Sequence, residues 1–278
     1  MASGAAAYDD KIYFGGSDGQ FYCVDAYTGH LMWTHPTRME NLASPLIENG
    51  VVYFLSGNDH LFALDAKTGK QKWVYTRTNS TELSVRGGSR PTLYQNILYV
   101  GFSDGYLVAL HAKDGGVSWE RQVNTNTRFR DIDSTPVIVG NTIYVSGFDN
   151  ALYALGRSDG QILWRQEEGS SFPVTINGNR IYQSTSQNNL RALNATTGQV
   201  IWTRGIHKGI STQPMLYKEH LIYGETDGNL LVVNPEDGEP VKSYNPGRGV
   251  SSSPTVSYTH LRAHETKANL VCRLLLEK

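Results

Sequence analysis

Cysteine is nearly absent from this sequence: Cys23 and Cys272 are the only two in 278 residues. Two thiols make no disulfide framework. Neither sign of charge is in excess, with 25 Lys+Arg against 26 Asp+Glu. That balance leaves no electrostatic footprint for nucleic acid or for an anionic membrane surface. No apolar run approaches the roughly 20 residues that span a bilayer. The N-terminus, M-A-S-G-A-A-A-Y-D-D, lacks the basic region and hydrophobic stretch of a signal peptide. No glycine-rich strand-to-helix turn offers to cradle a phosphate. His30, His35, His60, His111, His207 and His220 stand singly, with no Ser/His/Asp arrangement around them.

What the sequence does have is one eleven-residue frame, repeated. Ala63 to Trp73 reads A-L-D-A-K-T-G-K-Q-K-W, and the frame recurs at Cys23–Trp33, Ala109–Trp119, Ala154–Trp164 and Ala192–Trp202. A weaker sixth copy runs from Val232 to Lys242. The turn glycines Gly29, Gly69, Gly115, Gly160, Gly198 and Gly238 are spaced by 40, 46, 45, 38 and 40 residues. A period of about 40–45 residues with strand-like units is that of a β-propeller, one four-stranded blade per repeat. Apolar residues alternate, or cluster in short runs bounded by turn signals, which is the strand pattern and not the helical one.

Each unit reads as four strands. In the unit beginning at Arg90, Pro91 to Tyr94 is the first strand, with its proline where a missing N–H matters least. Gln95-Asn96 turns the chain into Ile97 to Phe102. Ser103-Asp104-Gly105 reads as a hairpin whose Asp-Gly supplies the positive φ of a primed turn. Tyr106 to Ala112 and Gly116 to Val123 complete the blade. Pro45, Pro136, Pro173, Pro214 and Pro254 lead the other units. Asp25 and Asp65 sit inside the repeated frame, where they should serve local turn hydrogen bonds. Each fourth-strand tryptophan (Trp33, Trp73, Trp119, Trp164, Trp202) should lie across a turn of the neighbouring blade, burying its ring and donating its N–H. Lys242 replaces it in the sixth copy, which should weaken that contact. Cys23 stands where four other copies carry alanine, so it reads as a small buried thiol.

Two links break the period: Thr78 to Arg90 and Asn124 to Thr135. Both lie between a fourth strand and the next first strand. They should emerge on one face of the disc, on adjacent blades, where repeat proteins place binding surfaces. The repeat register runs to Val256, the start of a seventh unit. The propeller is therefore expected over residues 1–256, incomplete and drawn from seven or eight blades. Residues 257–278 form a non-propeller tail that resembles translated sequencing adapter. His260 and His264 within it are not read as a metal site.

The frame resembles the A-x-D-x-x-T-G-x-x-x-W tryptophan-docking motif of the pyrroloquinoline-quinone-like propeller family, over about Lys11 to Val256. Two copies carry Asp114 and Asp159 in place of the threonine. Quinoprotein dehydrogenases of that family hold a quinone and a calcium ion on the propeller axis, often beside a vicinal cysteine pair. This chain has no adjacent cysteines and no identifiable calcium-ligand set, so no cofactor and no metal are expected. Leu83-Ser84-Val85-Arg86-Gly87 and Asp131-Ile132-Asp133 resemble two loop segments of the BamB-type lipoproteins of outer-membrane β-barrel assembly. That resemblance implies a non-enzymatic scaffold at the periplasmic face of the outer membrane, held there by a lipid anchor absent from these residues. Its partner would be the periplasmic domains of the barrel-assembly pore, contacted through Leu83, Val85, Arg86, Asp131 and Asp133. Arg86 can offer a forked, charge-assisted contact, and Leu83 and Val85 an apolar anchor. The bland alternative is that Arg86 pairs with Asp131 or Asp133 across neighbouring loops. The alternative functions are a quinoprotein oxidoreductase and a generic propeller sensor domain of a larger protein.

Overall fold

The structure, a computed structural model, describes residues 4–41, 43–77, 88–126 and 129–255. Every regular element among them is a β-strand, and no helix is long and apolar enough to cross a membrane. The chain divides into two units, Met1–Leu163 and Trp164–Lys278.

The first unit opens with the sheet β1 (Ala6–Tyr8), β2 (Lys11–Gly15), β3 (Gln20–Asp25) and β4 (Leu31–Pro36). The second sheet is β5 (Leu46–Glu48), β6 (Val51–Leu55), β7 (His60–Asp65) and β8 (Gln71–Thr76). The third is β9 (Thr92–Tyr94), β10 (Ile97–Gly101), β11 (Tyr106–His111) and β12 (Val117–Gln122). The fourth begins with β13 (Val137–Val139), β14 (Thr142–Gly147) and β15 (Ala151–Gly156), and β16 (Ile162–Glu167) contains the division between units. The second unit holds β17 (Thr175–Asn177), β18 (Arg180–Ser184), β19 (Asn189–Asn194) and β20 (Val200–Gly205). Its last sheet is β21 (Met215–Tyr217), β22 (His220–Gly224), β23 (Leu230–Val233) and β24 (Pro240–Tyr244). Within each sheet, chain order is spatial order and neighbouring strands pair antiparallel.

The short apolar runs become second and third strands, and in the second and third sheets these are buried on both faces because a neighbouring sheet covers each side. Tyr13, Phe21 and Cys23 of the first sheet pack on Val52, Phe54, Phe62 and Leu64 of the second. The opposite face of the second sheet, with Tyr53, Ala63 and Trp73, packs on Leu98, Val100, Val108 and Leu110. In the second unit, Tyr182, Leu190 and Ala192 meet Leu221, Tyr223 and Val233. Cys23 lies opposite Trp33 as Ala63 lies opposite Trp73, fully buried, and burial pushes its thiol pKa up.

The tryptophans dock as the frame implies. Indole N–H groups donate from Trp33 to the Ala66 carbonyl (3.1 Å), from Trp73 to Ala112 (3.1 Å) and from Trp119 to Arg157 (3.0 Å). In the second unit, Trp164 donates to Ala195 and Trp202 to Pro235, both at 3.1 Å. Each ring covers the turn glycine of the next frame. That glycine has a positive φ, and a Cβ built on it would lie 2.6–2.8 Å from the ring at Gly69, Gly115, Gly160, Gly198 and Gly238. Only glycine meets both demands. Asp25 Oδ1 accepts from the Tyr27 and Thr28 amides and the Thr28 hydroxyl, and Asp65 accepts likewise from Thr68. The hydrogen bonds from these threonines hold both carboxyls below the usual carboxylate range.

One turn differs from expectation. In Ser103-Asp104-Gly105 only Gly105 has a positive φ (89°), so this is not a primed two-residue turn. The Phe102 amide bonds the Tyr106 carbonyl across a three-residue loop, and Gly105 takes the left-handed position that loop requires. The primed turns lie instead between first and second strands, at Asp9-Asp10, Asn49-Gly50 and Gln95-Asn96, where both φ values are positive. The sixth frame's Lys242 lies opposite Val232 and stands exposed. Repeat register persists to Val250, which packs against Gly224 as Ile132 packs against Gly101 and Asn41 against Gly15. Residues from Val256 onward, with the tail, lie outside the described residues.

Candidate partner-binding surface

Both long links belong to the first unit, one after β8 and one after β12. Leu83, Val85 and Arg86 lie outside the described residues, but the link that carries them is held at both ends. At its start, Arg77 ion-pairs with Asp104 through Nε and with Glu120 through Nη1 (2.5 Å), and its guanidinium lies 4.1 Å from the Tyr106 ring centre. At its end, Gly88 packs so closely on Ala43 that a Cβ would meet it at 2.9 Å. The Ser89 hydroxyl then donates to the Ser134 carbonyl at 3.1 Å, and Thr92 Oγ1 donates to the Pro136 carbonyl at 2.7 Å. The two links are thus bonded to each other on neighbouring sheets.

The second link is positioned by its own backbone. The Val123 and Asn124 amides both bond the Gly105 carbonyl. The Asn124 side chain accepts from the Asn126 amide and donates to the Phe129 carbonyl. Ile132 is the wedge: it is buried, its amide bonds the Phe102 carbonyl, and its side chain fits where Gly101 leaves room. Asp131 and Asp133 flank that wedge. Asp131 is 0 % exposed, and its carbonyl accepts from the Phe148 amide at 2.8 Å. Asp133 is half-buried. Burial, and then the charges of Asp131 and Asp59, push its carboxyl up to about 7. Ser134 closes the link: its hydroxyl accepts from the Ser146 amide at 2.6 Å.

Sequence reasoning missed three contributors. Asp59 lies in the β6–β7 hairpin, buried, and its carboxylate accepts from the Ser103 amide (3.2 Å) and hydroxyl, clasping the second sheet to the third. Its place in a repeated hairpin made it look like an ordinary turn residue. Arg77 follows directly on β8 and belongs to no motif of the repeat. Phe129 and Phe148 form an exposed aromatic pair, 44 % and 48 % accessible, with ring centres 5.9 Å apart. No spacing rule signals that pair, because one ring comes from a link and the other from a hairpin.

The surface thus combines a buried acidic group of Asp59, Asp131 and Asp133 with two links fastened side by side. Among the described residues no three His, Cys, Asp or Glu side chains converge as metal ligands. The sequence holds no adjacent cysteine pair.

A family model described as outer membrane protein assembly factor BamB matches residues 1–170 and 149–272. The chain belongs to the BamB family. The BamB of Yersinia pestis is 30 % identical over 133 residues, which is 48 % of this chain and 34 % of that protein. The chain therefore matches about a third of the length of that curated relative. The crystal structure of BamB from Moraxella catarrhalis superposes with a TM-score of 0.81 at 23 % identity, covering 92 % of this chain and 80 % of that one. A quinohemoprotein alcohol dehydrogenase from Pseudomonas putida superposes at 0.74 with 14 % identity, over 91 % of this chain and 60 % of that one. These likenesses establish the fold: an all-β propeller with about six blades present, built on the pyrroloquinoline-quinone-like repeat.

Proposed function

We propose that this chain is a non-enzymatic scaffold that binds a protein partner during outer-membrane β-barrel assembly, at the periplasmic face of that membrane. Its partner is the periplasmic part of the barrel-assembly pore. The contact is made by the two long links: Arg86 as a forked cation, Leu83 and Val85 as the apolar anchor, and Asp133, with the buried Asp131 behind it, as the acidic counterpart. The observation that carries this reading is the Ser89–Ser134 hydrogen bond, which fastens the two links together. Separated in sequence, they present one surface. Asp131, being buried, contributes charge and the position of the Ile132 wedge. Near-neutral net charge favours a protein partner over nucleic acid.

The test is Arg86→Glu, assayed by titration calorimetry against the pore's periplasmic domains, with circular dichroism as the check on folding. Loss of binding at unchanged thermal midpoint is expected; unchanged affinity would reject the site. Dye reduction after reconstitution with quinone and calcium would reject the scaffold reading as a whole.

A further inference from the structure

The β10–β11 hairpin, Ser103–Gly105, is held differently from its counterparts. In the first and fourth sheets the hairpin aspartates, Asp18 and Asp149, each accept from the hydroxyl of a tyrosine on the next strand, Tyr22 and Tyr153. Those bonds stay within one sheet. In the third sheet the corresponding residue is Val108, which has no hydroxyl. Asp104 is held from the second sheet instead, by the Arg77 guanidinium, which also pairs with Glu120 of β12.

A second grip reaches the same hairpin. Asp59 stands where the hairpins on either side carry Gly19 and Gly105, and it takes their left-handed backbone, with φ +57° against +77° and +89°. Glycine adopts that φ more readily. What the aspartate adds is a carboxylate, and it accepts from the Ser103 amide at 3.2 Å and from the Ser103 hydroxyl.

Both grips lie at the roots of the long links. The Asp59 carbonyl accepts the Arg77 amide at 3.2 Å, where the first link leaves β8. The Gly105 carbonyl accepts the Val123 and Asn124 amides, at 2.8 and 3.1 Å, where the second link leaves β12. The Phe102 carbonyl accepts the Ile132 amide at 3.1 Å and so holds the wedge of the second link. One hairpin therefore receives the root of the first link on Ser103 and Asp104, and the root of the second on Gly105. Neither gripping side chain is offered to solvent: Asp59 is 7 % exposed and the Arg77 side chain 14 %.

We propose, on the reading that the two links hold the partner, that Asp59 and Arg77 are positioning residues for that surface. Through the Ser103–Gly105 hairpin they fix the spacing at which the links leave neighbouring sheets, and so set partner affinity without touching the partner. A surface made of two separate segments binds most tightly when their spacing is fixed beforehand, because binding then bears no cost of ordering them.

The decisive variant is Asp59→Gly. It removes the carboxylate and leaves a residue suited to the left-handed φ, so the urea midpoint should move little. The Val123 and Asn124 amides bond Gly105 and not Asp59, yet their hydrogen–deuterium exchange should quicken by about tenfold. Affinity for the pore's periplasmic domains, by titration calorimetry, should fall about 2- to 30-fold. Ser103→Ala should weaken binding in the same direction, and Ser103→Thr, which keeps the hydroxyl, should restore it. Residues with a structural role alone would lower the midpoint and leave the affinity of the folded chain as it was. Unchanged exchange at Val123 and Asn124 overturns the proposal, as does unchanged affinity of Asp59→Gly while Arg86→Glu abolishes binding. Equal binding by Arg86→Glu and the wild type rejects the partner surface itself. The positioning role is then judged on exchange alone: faster exchange at Val123 and Asn124 upholds it, and no change refutes it.

Discussion

Replacing Trp73 with alanine tests the joint on which every blade contact depends. Trp73 is 9 % exposed, its ring lies on Gly115, and its N–H bonds the Ala112 carbonyl at 3.1 Å. An indole buries about 150–250 Å², so at about 25 cal/mol per Å² the ring is worth roughly 4–6 kcal/mol as an upper bound. The expected loss is about 3–5 kcal/mol, the range for a large core aromatic. Trp73→Phe should lose only about 1–2 kcal/mol, because the Tyr53 hydroxyl also donates to the Ala112 carbonyl (3.3 Å) and keeps it satisfied. The sharper measurement is a double-mutant cycle with Gly115→Ala. In the wild-type background, alanine incurs about 1–2 kcal/mol for its left-handed φ and must also displace the ring, since its Cβ would lie 2.7 Å from Trp73 Cε3. In the Trp73→Ala background only the φ cost remains. Urea denaturation followed by far-ultraviolet circular dichroism should therefore give a coupling of at least about 1 kcal/mol. Additivity within about 0.5 kcal/mol, or a Trp73→Ala loss below about 1 kcal/mol, would refute the docking argument.

Asp133 should make stability depend on pH. Its folded pKa, about 7, lies above the unfolded value near 4. The folded chain therefore binds the extra proton, so stability is full below pH 4, falls as pH rises to 7 and levels off above, by about 2–4 kcal/mol. Urea midpoints from pH 4.5 to 8 should show that slope in the wild type and lose it in Asp133→Asn; equal slopes would reject the assignment. Arg77→Met should lower stability by about 2–3 kcal/mol, because it strands the half-buried Asp104. Arg77→Lys should not restore it, since an ammonium cannot serve Asp104, Glu120 and the Tyr106 ring together. Full rescue by lysine, read from the same midpoints, would show that charge alone is at work.

The fold was legible because the repeat states it six times. A single Asp-x-x-Thr-Gly turn is weak, but Trp33, Trp73, Trp119, Trp164 and Trp202 at one spacing from their glycines tie each turn to a ring. Strand limits came within a residue or two: β9 starts at Thr92 where Pro91 was expected, and β10 ends at Gly101 where Phe102 was expected. The Ser103–Gly105 turn was misread because Asp-Gly suits both a primed turn and the end of a three-residue loop. Loop length decides between them, and loop length depends on where the strands stop pairing. The site was legible only in part. The place of the two long links followed from broken periodicity. The burial of Asp131 and the Asp59–Ser103 clasp did not, because both depend on contacts between units about 40–45 residues apart, which one chain's local pattern does not encode.

The geometry also explains which parts of the repeat are constrained and which are not. In the outer frame, glycine must accept both a left-handed φ and a ring at van der Waals contact, and the ring must reach one particular carbonyl. In the second and third sheets the middle strands are buried on both faces, so their side chains are fixed by packing. Neither region can vary without loss of a blade contact. The links between a fourth strand and the next first strand carry a lighter constraint: one wedge residue, Asn41, Ile132 or Val250, seated against Gly15, Gly101 or Gly224. Everything else in the link is free to differ in length and chemistry. The two that exceed the period are also the two that are bonded to each other through Ser89 and Ser134. Two long links at distant blades would offer two weak sites. Fastened side by side, the two links lie next to each other on neighbouring sheets; the Arg86 variant tests the proposed binding, and the Asp133 pH profile tests the packing of the second link.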